Sequence, residues 1–116
     1  MPKYDEDLLL VTGATGLVGR HVVERALAEG WRVRAMVRST AAAQDLAQLG
    51  AELVTGDLGQ PETLAPSVAG VTVIVHCAAK VGDWGPIEEH RRINVRGLEV
   101  LLDAAERTGR LRKFVH

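Results

Sequence analysis

Aromatic side chains make up only 3% of the 116 residues, which leaves no stacking platform for single-stranded nucleic acid. Cysteine is scarcer still: the single Cys77 excludes an internal disulfide and any multi-cysteine metal site. Neither sign of charge dominates. With 14 basic and 15 acidic side chains the net charge is -1, so there is no electrostatic footprint for nucleic acid or an anionic membrane. The tightest basic cluster, Arg110 to Lys113, is small enough to be a solvated approach to a strand. No apolar run approaches the roughly 18 residues of a membrane helix. The opening stretch from Met1 to Asp7 is too acidic for a signal peptide, and the apolar run Leu8 to Val11 is too short. The expectation is a cytoplasmic chain with neither nucleic acid nor membrane as partner.

What is present is an ordinary globular balance, 47% hydrophobic and 25% charged, at one domain's length. Ala, Val and Leu carry the apolar content, which suits buried parallel strands covered by helices. Period and punctuation then alternate. Strands are expected at Leu8–Thr12, Arg32–Val37, Glu52–Thr55, Val71–His76 and Arg112–His116. Helices are expected at Leu17–Glu29, Ala41–Leu49, Pro61–Val68 and Ile87–Thr108. Gly30, Gly50 and Gly109 stand where helix stops belong. Ser39 or Thr40 is placed to cap the second helix, and Pro61 sits where a first helical turn tolerates proline. No linker, low-complexity segment or solenoid repeat interrupts this rhythm. It predicts an α/β, Rossmann-type three-layer fold over 1–116, with a five-stranded parallel sheet in the order 3-2-1-4-5, four helices, and truncation after strand 5.

The segment Thr12, Gly13, Ala14, Thr15, Gly16, Leu17, Val18, Gly19 lies between the first strand and the first helix. In that position each glycine has a physical role. Gly13 allows a tight turn, Gly16 lets backbone approach a pyrophosphate, and Gly19 lets the helix pack close to the sheet. Free N–H groups at the helix start then point at phosphate. A triphosphatase loop is excluded, because no Gly-Lys-Ser/Thr ending follows. At the tip of the second strand, where a carboxylate would mark NAD, the sequence has Arg38, Ser39 and Thr40. A guanidinium there suits a 2′-phosphate, which favours NADP over NAD; a solvated surface arginine is the competing reading.

The loop Thr12 to Gly19, the triplet Gly56-Asp57-Leu58, the run His76-Cys77-Ala78-Ala79 and the pair Asn94 and Gly97 follow one another in an order that resembles the extended short-chain dehydrogenase/reductase family. The stretch Ala79 to Pro86 is similar to the branch of 3β-hydroxysteroid dehydrogenase-like, sterol-4-carboxylate dehydrogenase-like and dihydroflavonol reductase-like proteins. The resemblance implies an NAD(P)-dependent oxidoreductase or sugar epimerase/dehydratase. It implies that Asp57 accepts a hydrogen bond from the adenine amino group, with the Leu58 backbone beside it; a turn or cap residue is the alternative for Asp57. It also implies that Ala78 and Ala79 admit ribose and pyrophosphate, that Lys80 and Val81 continue toward the nicotinamide, and that Asn94 holds active-site backbone. His76 reads as a hydrogen-bonded strand end, Cys77 as a small buried hydrophobe, and Trp84 as either a substrate cover or a packed loop residue.

The resemblance further implies a catalytic Ser and a Tyr-x-x-x-Lys pair after the fifth strand. Neither is found before the sequence ends at His116, and the only tyrosine, Tyr4, is followed four residues on by Leu8. Three readings stay open: a reductase fragment that binds but does not turn over, a stand-alone binding or interaction module, and a half-Rossmann fold with no affinity. The unfinished fifth-strand edge leads us to expect self-association.

Overall fold

The computed structural model describes residues 7–77 and 87–115. The strands are β1 (Leu8–Thr12), β2 (Arg32–Val37), β3 (Glu52–Thr55), β4 (Val73–His76) and β5 (Lys113–Val115). Helices α1 (Leu17–Ala28), α2 (Gln44–Leu49), α3 (Leu64–Ser67) and α4 (Ile87–Thr108) alternate with them. All strand pairings are parallel, in the order β3-β2-β1-β4-β5. The expected Rossmann-type sheet is therefore the observed one.

The two-residue period of a strand explains how one sheet serves two layers of helices. Leu9 and Val11 of β1 join Val23 and Ala26 of α1 and Leu46 of α2 in one buried cluster. Leu8 and Leu10, pointing the other way, join Leu64 of α3 and Leu101 and Ala105 of α4 in a second. The central strand is buried at every position, which is why its sequence is apolar without alternation. Each fully buried leucine, such as Leu10 or Leu101, contributes about 2 kcal/mol of transfer free energy.

Helix ends follow the glycines. Gly30, Gly50 and Gly109 all have positive φ, at 91°, 113° and 71°. Trp31 N–H reaches back to the Ala26 carbonyl at 3.0 Å, closing α1 in the manner of a left-handed stop. Three local expectations change. Neither Ser39 nor Thr40 caps the second helix: Thr40 is itself helical, at φ -67° and ψ -29°, with no side-chain cap bond. A cap needs extended backbone; here Gln44 Nε2 donates to the Thr40 carbonyl at 2.8 Å instead. The helix accordingly starts as a 3-10 turn over Ala41–Ala43, and the third helix likewise over Pro61–Thr63. The fourth strand begins at Val73 rather than Val71: the Val71 N–H turns back to the Val68 carbonyl at 3.0 Å, and the Thr72 hydroxyl takes the Leu8 N–H at 3.1 Å.

The end of the sheet where β1, β4 and β5 begin is tied by Asp7. Its carboxylate accepts hydrogen bonds from Thr72 Oγ1 at 3.0 Å and from Arg112 Nε at 3.0 Å and Nη2 at 2.6 Å. The Arg112 hydrogen bond holds the Asp7 carboxyl below the usual carboxylate range, outweighing the opposing effect of burial. A lowered value means that the stabilisation is present above the ordinary carboxylate range and is lost as pH falls through the folded value. We expect Asp7→Asn to lower the urea midpoint at pH 7 and to shrink its drop between pH 7 and pH 3. An equal drop in both proteins would show that the clasp carries no acid-sensitive stability.

Candidate functional site

The site grows from the end of β1. Thr12 is buried and its hydroxyl shares a hydrogen bond of 2.7 Å with His76 Nδ1 at the end of β4. The Cys77 N–H meets the Thr12 carbonyl at 3.3 Å. These bonds bring the tips of β1 and β4 together below the glycine loop. His76 also stacks on Phe114 of β5, ring centroids 6.4 Å apart, so it is a packed strand-end histidine as its position implied. Cys77 is buried, and burial pushes its thiol up, in keeping with a small hydrophobe rather than a thiolate.

Gly13 turns the chain at φ 64°. A Cβ there would stand 2.6 Å from the Cys77 carbonyl oxygen, so both backbone angle and space require glycine. Gly19 is required for a different reason. A Cβ on it would lie 2.7 Å from the Gly13 carbonyl carbon and 2.9 Å from the Ala14 Cα, so the first turn of α1 is pressed directly onto the loop. Gly16 differs from both. Its backbone is extended, at φ -73° and ψ 169°, and a Cβ would meet only the Gly13 carbonyl oxygen, at 3.4 Å. Nothing inside the fold demands glycine there. Thr15, Gly16, Leu17 and Val18 are all exposed. Gly16 is the N-cap of α1 and no side chain caps the helix, so its first N–H groups face outward unclaimed by the helix. Exposed backbone donors with the positive end of a helix dipole form a seat for an anion, and the missing Cβ lets that anion come close.

The tips of β2 and β3 continue the same edge of the sheet. Gly56 N–H donates to the Val37 carbonyl at 2.9 Å, locking the two tips together. Just past them, Arg38 Nε lies 3.9 Å from Asp57 Oδ1. Asp57 sits in a tight turn. Its Oδ1 accepts the Gly59 N–H at 2.9 Å, and its own N–H donates to Thr63 Oγ1 at 2.9 Å. The turn role and the crevice position thus coexist. Leu58 packs against the second apolar cluster, and α4 presses on it: a Cβ at Gly97 would lie 2.6 Å from the Leu58 Cβ.

The predicted residues Gly13, Thr15, Gly16, Leu17, Val18, Gly19, Arg38, Asp57 and Leu58 therefore share one edge of the sheet, where its strands end. Ala78, Ala79 and Lys80, with Val81 and Trp84, lie outside the described residues. Asn94 falls in the second turn of α4, one turn before Gly97. Three contacts escaped the sequence reading: Thr12 with His76, Gly97 with Leu58, and Arg38 with Asp57. The glycine in Asn94-Val95-Arg96-Gly97 was the one available signal, since a glycine inside a long helix marks a close approach. Among the described residues no group of His, Cys, Asp or Glu is placed to hold a metal, and no helix is long and apolar enough to cross a membrane.

A family model described as NAD(P)H-binding matches residues 13–116. A ketoreductase of Stigmatella aurantiaca, acting on a 4-hydroxy-2-methyl-3-oxo-4-farnesyl-3,4-dihydroquinoline-1-oxide, is 42% identical over 106 residues, 91% of this chain and 31% of the relative. The photosystem II assembly factor Ycf39 of Cyanophora paradoxa is 38% identical over 108 residues, 92% of this chain and 32% of the relative. The chain thus spans about a third of the length of the curated relatives it matches. Among solved structures, a short-chain dehydrogenase/reductase superfamily protein of Agrobacterium tumefaciens with bound NAD superposes with a TM-score of 0.72. It is 34% identical, covering 92% of this chain and 31% of that one. The triphenylmethane reductase of a Citrobacter species, in complex with NADP(H), also gives 0.72, at 27% identity over 91% of this chain and 35% of that one.

The geometry separates glycines that build the fold from one that does not. Gly13→Ala and Gly19→Ala are each expected to cost roughly 2 kcal/mol or more, through the left-handed turn at Gly13 and overpacking at Gly19. Thermal melts check this; a wild-type melting temperature for either variant would contradict the close contacts.

Proposed function

Because the chain belongs to the NAD(P)H-binding family, within the short-chain dehydrogenase/reductase and NAD-dependent epimerase/dehydratase superfamily, we propose that the edge built from Gly13 to Gly19 holds a dinucleotide pyrophosphate. The observation that carries this reading is Gly16, a glycine for which the protein interior has no use. The N–H groups of Thr15, Leu17 and Val18 bind the phosphates, Gly16, whose own N–H is held by the Gly13 carbonyl at 3.1 Å, lets them come close, and Gly13 and Gly19 set their position. Arg38 takes a ribose 2′-phosphate, which makes NADP the preferred form over NAD. Asp57 and the Leu58 backbone take the adenine. Ala78, Ala79, Lys80 and Asn94 serve the ribose and nicotinamide end.

A bound dinucleotide of this kind supplies or accepts hydride. This chain's own residues bind and orient it. Binding of the dinucleotide is therefore the role proposed for these residues. A second reading, a binding or interaction module, is favoured by the Cyanophora paradoxa relative, which is named as an assembly factor and not as a reductase. Both readings include self-association. Among the described residues β5 pairs with β4 alone, and its own Val115 is exposed, which favours a second copy at that edge.

Calorimetric titration tests the cofactor reading. NADP is expected to bind more tightly than NAD, and Gly16→Ala to weaken both at least tenfold while its melting temperature stays within a degree or two of wild type. Unchanged affinity in that variant would remove the phosphate seat. Sedimentation velocity tests the edge: the average mass should rise with concentration, and a monomer at every concentration counts against self-association.

A further inference from the structure

We propose that Asp57 sets how strongly this crevice prefers a 2′-phosphorylated ribose, by competing with that phosphate for Arg38. The inference rests on the dinucleotide reading above and assigns to Asp57 a task besides contact with adenine. Among the described residues, Arg38 with Asp57 is the longest ion pair, at 3.9 Å, whereas Arg34 with Glu52, at the far end of the same strand pairing, closes to 3.1 Å. A separation of 3.9 Å is an electrostatic approach and not a hydrogen bond.

The two partners are held unequally. Asp57 is anchored: the Gly59 N–H binds the same Oδ1 that faces Arg38, and Thr63 fixes the Asp57 backbone. Its side chain is 31% exposed, against 67% for Arg38. The carboxylate is thus the fixed charge and the guanidinium the movable one. The Gly56 bond to Val37 keeps the two strand tips from separating, so Asp57 remains close to wherever Arg38 acts. A ribose 2′-phosphate reaching Arg38 must draw the guanidinium from a carboxylate that cannot follow, and it must also tolerate that carboxylate's charge. A ribose 2′-hydroxyl meets neither obstacle. Asp57 therefore subtracts from the advantage Arg38 gives to the phosphorylated form. Because both side chains are solvated, the effect is modest, about threefold in relative affinity.

The probes are ADP-ribose and 2′-phospho-ADP-ribose, which differ only in the 2′-phosphate and need no nicotinamide contact. Titrations run at pH 8, where a phosphate monoester is fully ionised. Asp57→Asn keeps an oxygen for the Gly59 N–H and removes the charge, so the turn is retained, and circular dichroism verifies it. The expected result is that Asp57→Asn raises the preference for 2′-phospho-ADP-ribose over ADP-ribose about threefold, and that Arg38→Ala abolishes the preference. In the Arg38→Ala background Asp57→Asn should then have little further effect. An unchanged ratio in Asp57→Asn overturns the proposal, as does an equal gain with and without Arg38, which would make Asp57 a source of repulsion alone. If the wild-type chain binds neither probe, the dinucleotide reading fails and this inference falls with it; binding of both with no response to Asp57→Asn sinks this inference alone.

Discussion

The close seating of α1 on the glycine loop is the contact from which the rest of the candidate site follows. Gly19 leaves no room between the first helical turn and the Gly13–Ala14 backbone. The helix start is thereby fixed directly above the end of β1. Gly13 must then turn at positive φ against the Cys77 carbonyl, and Gly16 is left exposed at the rim, capping the helix start without a side chain. Any larger residue at position 19 would lift the helix and carry the anion seat away from the strand tips.

That seating works only because the sheet beneath it is rigid and covered on both faces. Leu9 and Val11 commit one face of β1 to α1 and α2, and Leu8 and Leu10 commit the other to α3 and α4. A one-residue slip would exchange these sets, and both helical layers would lose their partners at once. Polar bonds then tie the two ends of the sheet: Thr12 to His76 beside the crevice, and Asp7 to Thr72 and Arg112 at the opposite end. The site therefore sits at one end of a clamped scaffold, with Arg38 and Asp57 as its mobile and fixed charges.

Most of the architecture was legible in the sequence because it depends on short-range rules. Apolar runs of strand length, helical spacing and glycine stops placed β1, β2 and β3 at their observed bounds, and α4 over its full length. The errors came where a side chain diverts a backbone group. The Val71 N–H turns back to Val68 and the Thr72 hydroxyl takes the Leu8 N–H before β4, and Thr40 is helical with its carbonyl held by Gln44 where a cap would be extended. Neither diversion has a local pattern. The binding loop was legible for the opposite reason: its glycines, strand and helix are contiguous, so their order reveals their geometry.

By itself, then, the sequence determined the alternation of elements, the parallel α/β class, the glycine loop at the end of the first strand and a lone basic residue at the end of the second. These depend on periodicity and on backbone angles that residues near in sequence impose. Only the tertiary structure decided which of these glycines the packing requires and which it does not, since Gly13, Gly16 and Gly19 look alike until their neighbours are known. It also decided that Arg38 faces Asp57, and that Leu58 is pinned by Gly97. Those relations join residues brought together by crossovers between strands, and distance in space is a quantity the order of residues does not contain.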